Sequence, residues 1–594
     1  MSHHTGWARG AAGMARLPWV AAFEISGLHL SDRDHRLNSS NRRRELLATW
    51  FKVVIETFGQ FRLQSCSDWF LAVFAGALPV TFRIALLPAV SVPLPSIHDE
   101  FSYLLAADTF AHLKLTNAPH PLWQFFESFH INQQPTYCSM YPVGQGLFLA
   151  LGQLLFGHPW FGVCLSIFVL GLIGYWALRG WFAKRWALAG ALWPTAFYTF
   201  SYWGNSYWGG AVAASAGFLV LGVVGRVRNR PSGIRSRNGV LLGIGSLVLL
   251  CTRPWEGLVY FAGIMIFGMG RFWFRNAGSS RRFWIRFAVP FAITSGLGLG
   301  CVAYYFWRTT GSPIQPPYLV NRQTYGVSSL FVFQKDKPVP TYHHAIMRDF
   351  YTRWEPAMKQ RPASVNDYLK RTWHIFGMFL VLLTPSTDGD LSTFHPSIFL
   401  NTPLKLAALV AFFGVYASFK MTKVRWILGL LLFAQLAVQL QSYLLIHYLA
   451  PMLGAEVLLL VAAVRFYALS NRRLGPMLGL GTLFALIVSV VLFNAWRFLD
   501  DARLIGVFPL ERAAIIRQLE QIPGRHLVFV RYSPEHDVHN EWVYNGSDID
   551  RARIVWARAT SEGDNGSLRR YFTGSRVWLL QPDFPQPRLE LVDP

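Results

Sequence analysis

Long runs of apolar residues recur along most of the chain, separated by short polar stretches. The run from Leu71 to Val92 is interrupted by one charge at Arg83, and two further runs extend over 426–446 and 477–493. Apolar runs of about 17–25 residues match the ~30 Å hydrocarbon core of a bilayer. Because that core offers no water to backbone polar groups, such runs must cross it as helices. The pattern predicts an all-α polytopic membrane protein.

The apolar runs and the basic loops between them give a predicted order of membrane crossings. Predicted spans lie near residues 69–92, 160–178, 186–203, 207–225, 239–253, 256–270, 284–306, 403–419, 426–446, 447–466 and 475–496. Two shorter apolar pieces, Val143–Phe156 and Trp373–Thr384, are predicted to be re-entrant or interfacial. The expected number of crossings is therefore eleven, or thirteen if both shorter pieces also cross.

The residues after the last predicted span differ in character from the rest of the chain. Short β-rich runs at His526–Tyr532, Arg553–Ala557 and Arg576–Gln581 alternate with polar turns and a helical stretch near Leu510–Gln521. This alternation is typical of a small α/β domain. We therefore predict an N-terminal tail over 1–68, a transmembrane domain over 69–498 with large outer loops at 93–141 and 308–402, and a soluble α/β domain over 499–594.

The distribution of charged residues mainly predicts how the chain is oriented in the membrane. Only 15% of the residues are charged, against about 25% in soluble proteins. The net charge of +23 comes mostly from arginines in short loops and in the N-terminal tail, so it indicates topology and no nucleic-acid partner. We expect a multi-pass protein of the plasma (inner) membrane, with the N-terminus in the cytoplasm and the C-terminal domain outside, on the periplasmic side. The five cysteines are scattered and predict neither a disulfide framework nor a zinc site.

Two adjacent carboxylates, Asp99 and Glu100, follow the first predicted span on its outer side. A carboxylate there can act as a general base, or can hold a divalent cation such as Mg²⁺ or Mn²⁺ against a phosphate. The alternative is that both residues solvate or cap the end of a helix. The segment continues through His112 as a predicted amphipathic stretch along the membrane surface.

The acidic pair, the large outer loop and the Tyr-Pro-Val-Gly-Gln-Gly run that begins at Tyr141 together resemble the GT-C superfamily of membrane glycosyltransferases. The similarity is to the branch of protein O-mannosyltransferases and lipid A aminoarabinose transferases, with Val143 in place of the second proline of that branch. The resemblance spans about 69–496. It implies a polyprenyl-phosphate sugar donor, transfer outside the cytoplasm with inversion, and an acceptor that is a glycan, a lipid or a protein. It places Asp99 on the catalytic acidic position, with Glu100 beside it.

Candidates for binding the donor phosphate are cations at the outer membrane interface. Arg253 lies in a short outer turn, where a planar guanidinium suits phosphate, and the alternative is a structural pair with Glu256. His447, Tyr448 and Pro451 resemble an Arg-Tyr-x-x-Pro element of the superfamily, with His in place of Arg. A neutral histidine supplies only one donor at neutral pH.

Aromatic and polar residues of the outer segments are candidates for contact with the sugar or acceptor. They are Asp108, Tyr141, Tyr202, Trp203, Asn205, Tyr207 and Trp208, together with the 130–137 stretch. The alternative for the aromatic residues is an interfacial belt. A tail cluster of His536, Asp537, His539 and Glu541 is predicted to be a solvated turn.

Two rival functions remain open from the sequence. One is a transporter or flippase of lipid-linked saccharides, a class that commonly shows internal repeats and midplane charges. The other is a membrane scaffold. The gathering of polar motifs on the predicted outer face favours an interfacial enzyme. No phosphate-binding loop or dinucleotide fingerprint occurs in the sequence, so a soluble nucleotide cofactor is not expected.

Overall fold

The computed structural model describes residues 65–229, 234–270, 281–359, 361–383, 419–421, 424–470, 507–560 and 562–593. The predicted N-terminal tail up to residue 64, the predicted span 475–496 and nearly all of the predicted span 403–419 lie outside these described residues.

Helices dominate the described part of the chain. They are α1 Asp68–Ala85, α2 His98–Ala111, α3 Val143–Phe156, α4 Trp160–Leu178, α5 Lys184–Tyr198, α6 Ala211–Asn229, α7 Ser236–Leu250, α8 Pro254–Gly263, α9 Val289–Thr310, α10 Pro317–Thr324, α11 Val365–Leu383, α12 Trp426–Val438, α13 Leu453–Ser470, α14 Val507–Gln521 and α15 Glu562–Tyr571. Shorter helical pieces are Trp123–Phe126, Ile264–Met269, Arg281–Phe283, Trp284–Ala288, Ala345–Asp349, Phe350–Trp354, Glu355–Ala357 and Ile446–Met452.

Several of these helices can cross a bilayer. Among the described residues, 5 are long and apolar enough by length and composition: Asp68–Ala85, Trp160–Leu178, Ala211–Asn229, Trp284–Thr310 and Ile446–Leu469. Shorter apolar helices accompany them, and Val143–Phe156 is one of these. The prediction of a mostly helical multi-pass membrane protein is confirmed, whereas the number of crossings stays a prediction.

The first span is shorter than predicted. Helix α1 ends at Ala85, seven residues before the predicted end at Val92. Arg83 explains the early end, because its guanidinium donates to the backbone carbonyls of Val90 (3.1 Å) and Ser91 (2.9 Å). The apolar residues after Ala85 therefore fold back against the end of the helix instead of extending it.

The C-terminal α/β region, residues 507–593, contains a four-stranded sheet. Its strands are β3 Arg525–Val530, β4 Ile554–Arg558, β5 Ser575–Gln581 and β6 Arg588–Asp593. They lie in the order β4-β3-β5-β6, and only the β5–β6 pair is antiparallel. The three predicted strands and helix α14 are confirmed. The sequence reading missed α15 and β6. A short antiparallel pair, β1 Ile131–Asn132 and β2 Cys138–Ser139, lies in the first outer loop.

Helix α2 is buried, and the prediction of an amphipathic surface helix is wrong. The C-terminal α/β region covers one side: Phe101 stacks on Tyr544 with 4.7 Å between ring centroids, and Asp108 Oδ2 accepts from the Ser547 backbone at 2.7 Å. Helix α3 covers another side so closely that a Cβ on Gly146 would lie 2.8 Å from Cβ of Ala106. The first outer loop and the C-terminal region therefore share a core around α2.

Candidate functional site

Asp99 lies in the first turn of α2, with its side chain 18% exposed, among three polar side chains. The Tyr141 hydroxyl donates a hydrogen bond to Asp99 Oδ1, and His130 Nδ1 lies 3.3 Å from the same oxygen. His98 Nε2 lies 3.3 Å from Oδ2. The Tyr141 hydroxyl also lies 3.0 Å from His130 Nδ1. Both carboxylate oxygens are thus directed at named partners, and the group is fixed in orientation.

These partners determine the protonation states of the cluster. Burial alone would raise the pKa of Asp99, but interactions with His130 and His98 and a hydrogen bond from Tyr141 hold it below its ordinary value. Burial lowers the pKa of His98 to about 3, so this imidazole is neutral at neutral pH. Burial also raises the pKa of Tyr141, which keeps its hydroxyl a donor. Asp99 is therefore a carboxylate at neutral pH.

His98, Asp99 and His130 form a candidate metal centre. One ligand atom from each can be chosen so that all three lie within 4.8 Å of one another. Two imidazoles and one carboxylate suit Zn²⁺, Mn²⁺ or Fe²⁺ better than Mg²⁺, which prefers an oxygen shell. His98 Nδ1 is buried without a hydrogen-bond partner in the described part of the chain, so this ring can still reorient or accept a ligand. Of the two predicted cations, the donor set favours Mn²⁺.

His98 and His130 were not predicted to be metal ligands, because they lie far apart along the chain. The fold brings them together because Ser102, on α2, donates its hydroxyl to the His130 carbonyl at 2.6 Å. His130 also has a φ of 60°, in the left-handed region. Non-glycine residues held there cluster at functional sites.

We expect substitution of either histidine to weaken metal binding. Outer-shell partners of a metal already change affinity by about 10–100-fold, so His98→Ala or His130→Ala should weaken Zn²⁺ or Mn²⁺ binding at least about tenfold. Isothermal titration of the chelator-treated full chain measures this. His112→Ala is the matched control, because His112 is 57% exposed at the other end of α2. Unchanged affinity in both histidine variants would contradict the assignment.

Glu100 is fully engaged within the protein. Its Oε2 accepts from the backbone N of Ser96 (2.6 Å) and of Ile97 (3.2 Å), and from the Ser96 hydroxyl (3.0 Å). Its Oε1 accepts from the backbone N of Tyr207 at 2.9 Å. The side chain is 1% exposed. Glu100 therefore caps α2 and ties it to the 199–210 turn, as the capping alternative expected.

Arg253 precedes α8 and is half-buried. Its guanidinium stands 4.7 Å from the centroid of the Tyr448 ring. Within the described residues it makes no hydrogen bond and no ion pair. Arg253 and Glu256 interact electrostatically but form no salt bridge, and Glu256 Oε1 accepts from Gln441 Nε2 at 2.7 Å. Arg253 thus offers its full set of donors to a ligand.

The start of α3 holds Arg253 and Asp99 in one region. The backbone N of Gly144 donates to the Cys251 carbonyl at 2.7 Å, and a Cβ at this position would lie 2.3 Å from Thr252 Cγ2. The same helix packs on α2 through Gly146. Tyr103 on α2 interacts electrostatically with both Arg253 and Asp99. The glycine-containing run after Tyr141 therefore has a physical role, because it docks the carboxylate helix against the arginine turn.

Aromatic residues predicted to contact the sugar fall into two groups. Tyr202 and Trp208 surround His447: the Tyr202 hydroxyl lies 3.1 Å from His447 Nδ1, and the Trp208 ring centroid lies 4.6 Å from the imidazole. His447 is followed by Tyr448, under the Arg253 guanidinium. Tyr141, which binds Asp99, is stacked on Tyr103 at 4.5 Å. His447 and Tyr448 each interact electrostatically with both Asp99 and Arg253, so the two groups of aromatic residues lie near the same two charges.

Four of the residues predicted to contact the sugar or acceptor make contacts within the protein. Trp203 is 1% exposed and stacks on Tyr198 at 3.7 Å. Asn205 accepts from Arg83 and donates to two backbone carbonyls. The Tyr207 hydroxyl donates to the Pro93 carbonyl at 2.8 Å. Asp108 binds the C-terminal region through the Ser547 backbone, as described above.

The second outer loop and the C-terminal region also reach the carboxylate cluster. The His98 ring centroid lies 5.0 Å from that of Phe350, and 5.8 Å from those of both Trp354 and His539. The prediction of a solvated turn near His539 is wrong at three positions. The His536 side chain is 3% exposed, with Nδ1 lying 2.5 Å from Asp583 Oδ1. His539 packs on this cluster, and Glu541 is 1% exposed and binds Arg558 at 2.6 Å.

No protein-family model and no curated protein matches this chain. Solved structures do match. ArnT from Cupriavidus metallidurans bound to undecaprenyl phosphate is 13% identical, with 86% of this chain and 93% of that chain covered and a TM-score of 0.45. Its apo form is 13% identical, with 87% of this chain and 93% of that chain covered and a TM-score of 0.47. The oligosaccharyltransferase of Archaeoglobus fulgidus in complex with Zn and sulfate is 12% identical. The match covers 77% of this chain and 60% of that chain, with a TM-score of 0.40. At these identities and TM-scores the likeness assigns no activity, which has to follow from the site.

Proposed function

We propose that this protein is a membrane glycosyltransferase that moves a sugar from a polyprenyl-phosphate donor to an acceptor on the outer face of the plasma membrane. The observation that carries the proposal is the unpaired guanidinium of Arg253, in the same region as the oriented carboxylate of Asp99. A half-buried cation that makes no salt bridge to the described residues suits an anionic ligand, and a planar guanidinium suits phosphate.

Asp99 and Arg253 act on the attacking and the leaving group of one displacement at C1 of the sugar. The acceptor hydroxyl oxygen attacks C1 of the sugar, the C1–O bond to phosphate breaks, and the phosphate leaves with the electron pair. Asp99 is ionised and accepts the acceptor proton. Arg253 stabilises the charge that develops on the departing phosphate. Attack opposite the leaving group inverts the configuration at C1.

The other residues of the site support these roles. Tyr448 orients the guanidinium, and Tyr202, Trp208 and His447 give the sugar aromatic and polar surfaces. A divalent cation held by His98, Asp99 and His130 would add positive charge for the phosphate. The contacts within the protein position α2, the 199–210 turn and the C-terminal region relative to one another. They are made by Glu100, Trp203, Asn205, Tyr207 and Asp108.

A transfer assay with a flipping control separates the enzyme from the rival transporter or flippase. The full chain in lipid nanodiscs is supplied with undecaprenyl-phosphate-linked radiolabelled hexose, and release of undecaprenyl phosphate is measured. We expect release with the chain present and none without it. In vesicles the same chain should not move the intact donor between leaflets. Flipping without release of undecaprenyl phosphate would overturn the enzyme and support the transporter.

A further inference from the structure

A cleft of about 870 Å³ lies between the second outer loop and the C-terminal α/β region. We call it the loop–sheet cleft. Residues 344–346, 348, 349, 353 and 354 line one side, and residues 530–538 together with Arg558 and Ala559 line the other. Ligand sites in proteins typically measure about 300–1,000 Å³, so the volume suits a ligand of several rings.

The cleft lies at the carboxyl ends of two neighbouring parallel strands. Val530 is the last residue of β3 and Arg558 the last residue of β4, and the two are register partners in the sheet. Both line the cleft. Sheets of this kind bind ligands in the crevice outside the carboxyl ends of their strands. The position in the fold is thus an independent reason to expect a ligand.

One layer of side chains separates the cleft from the candidate site. Trp354 lines the cleft, and its ring centroid lies 5.8 Å from that of His98, the neighbour of Asp99. His539 closes the same layer, 4.6 Å from Trp354. The cleft therefore ends one layer of side chains, Trp354 and His539, away from His98 beside the Asp99 carboxylate.

The charges of the cleft balance. Its arginines are Arg348, Arg353, Arg531 and Arg558, and its acidic residues are Asp349, Glu535 and Asp537. Arg558 is paired with Glu541, which leaves three arginines and three acidic residues, with Arg348 and Arg353 both paired to Asp349. A wall that is charged but has no net charge suits neither a lipid tail nor a polyanion. It suits a neutral ligand rich in hydrogen-bonding groups.

Two further features select the kind of neutral ligand. Arg558 Nη1 is buried and has no hydrogen-bond acceptor among the described residues, so it can donate to a bound hydroxyl. Trp354 and Tyr532 add aromatic surfaces, against which the apolar face of a sugar ring can pack. Hydroxyls both donate and accept, so they satisfy arginine and carboxylate side chains alike.

We infer that the loop–sheet cleft binds the acceptor, and that the acceptor is a neutral saccharide chain. This inference rests on the proposed transferase function and names the substrate class for it. The saccharide lies along the carboxyl ends of β3 and β4, and its terminal hydroxyl passes Trp354 to reach Asp99.

Filling the cleft tests the inference. Glu535→Trp places a large side chain at an exposed cleft residue, and Glu520→Trp makes the same substitution at an exposed residue of α14 that does not line the cleft. The detergent-solubilised full chain is applied to an array of immobilised neutral oligosaccharides, acidic oligosaccharides and peptides. A second pair, Arg531→Ala and Arg517→Ala, compares loss of a cleft arginine with loss of an exposed arginine elsewhere. Undecaprenyl phosphate binding is measured for every variant.

We expect wild type and both controls to retain neutral oligosaccharides, and the two cleft variants to retain them at least about tenfold less well, the loss expected for one hydrogen-bonding partner of a ligand. Undecaprenyl phosphate binding should be equal in all five proteins. Equal retention by Glu535→Trp and Glu520→Trp would overturn the inference. So would a wild type that binds only acidic oligosaccharides, only peptides or nothing on the array. Absence of undecaprenyl phosphate binding throughout, with the array pattern kept, would instead overturn the proposed function.

Discussion

Replacing Asp99 with Asn is expected to abolish most sugar transfer while the protein stays folded. The substitution keeps the shape of the side chain and removes its charge, so the acceptor proton has no base to receive it. Loss of a positioned general base typically costs about 10²–10⁴ in rate. Donor binding measured without added metal should remain nearly normal, because Arg253 still contacts the phosphate. Release of undecaprenyl phosphate per mole of purified chain is the measurement.

Glu100→Gln is the matched control for Asp99→Asn, since it makes the same chemical change at the next residue. Four hydrogen bonds engage the Glu100 carboxylate and none comes from the Asp99 cluster. We therefore expect Glu100→Gln to lower thermal stability while the rate per folded molecule stays close to wild type. An Asp99→Asn protein that transfers sugar at the normal rate would contradict the role of Asp99, and a transporter would then gain support.

The architecture could be predicted wherever a local pattern determines it. Apolar run length predicts the spanning helices, and alternation with turns predicts β3, β4 and β5. The failures are non-local. The sequence of α2 predicts an amphipathic surface helix, but the C-terminal region buries it. Phe101 and Tyr544 form one such contact, although they lie more than 400 residues apart in the chain. A sequence pattern shows that a face is apolar, and it does not show what covers that face.

The candidate site likewise contains residues that could be identified from the sequence and residues that could be identified only from the structure. Asp99 and Arg253 could be found because a charge next to a membrane span is costly and therefore conspicuous. His98 and His130 could not be recognised as a ligand pair, since the fold of the first outer loop brings them together. Trp354 and His539 reach the cluster from the second outer loop and the C-terminal region. The left-handed backbone of His130 is visible only in the structure.

Replacing Arg253 with Ala is expected to weaken donor binding strongly and leave the fold nearly unchanged. Hydrogen bonds to charged groups contribute about 1.5–3 kcal/mol, or roughly 10- to 150-fold in Kd. The guanidinium of Arg253 makes no hydrogen bond or salt bridge to the described residues, so its removal breaks no hydrogen bond within the fold. Arg253→Lys should fall between wild type and Arg253→Ala, because it keeps the charge and loses the planar fork. Equilibrium binding of undecaprenyl phosphate in nanodiscs, with thermal stability in parallel, provides the measurement.

Glu256→Gln distinguishes phosphate binding from a structural role of Arg253. If Arg253 served to neutralise Glu256, both substitutions would lower thermal stability equally and neither would act on the donor selectively. The structure argues for the opposite result, because Glu256 accepts a hydrogen bond from Gln441 and forms no salt bridge with Arg253. We therefore expect Glu256→Gln to keep undecaprenyl phosphate affinity within about twofold of wild type, the change expected when no charged hydrogen bond to the ligand is lost. Equal loss of stability in both variants, with equal donor affinity, would remove Arg253 from the donor site.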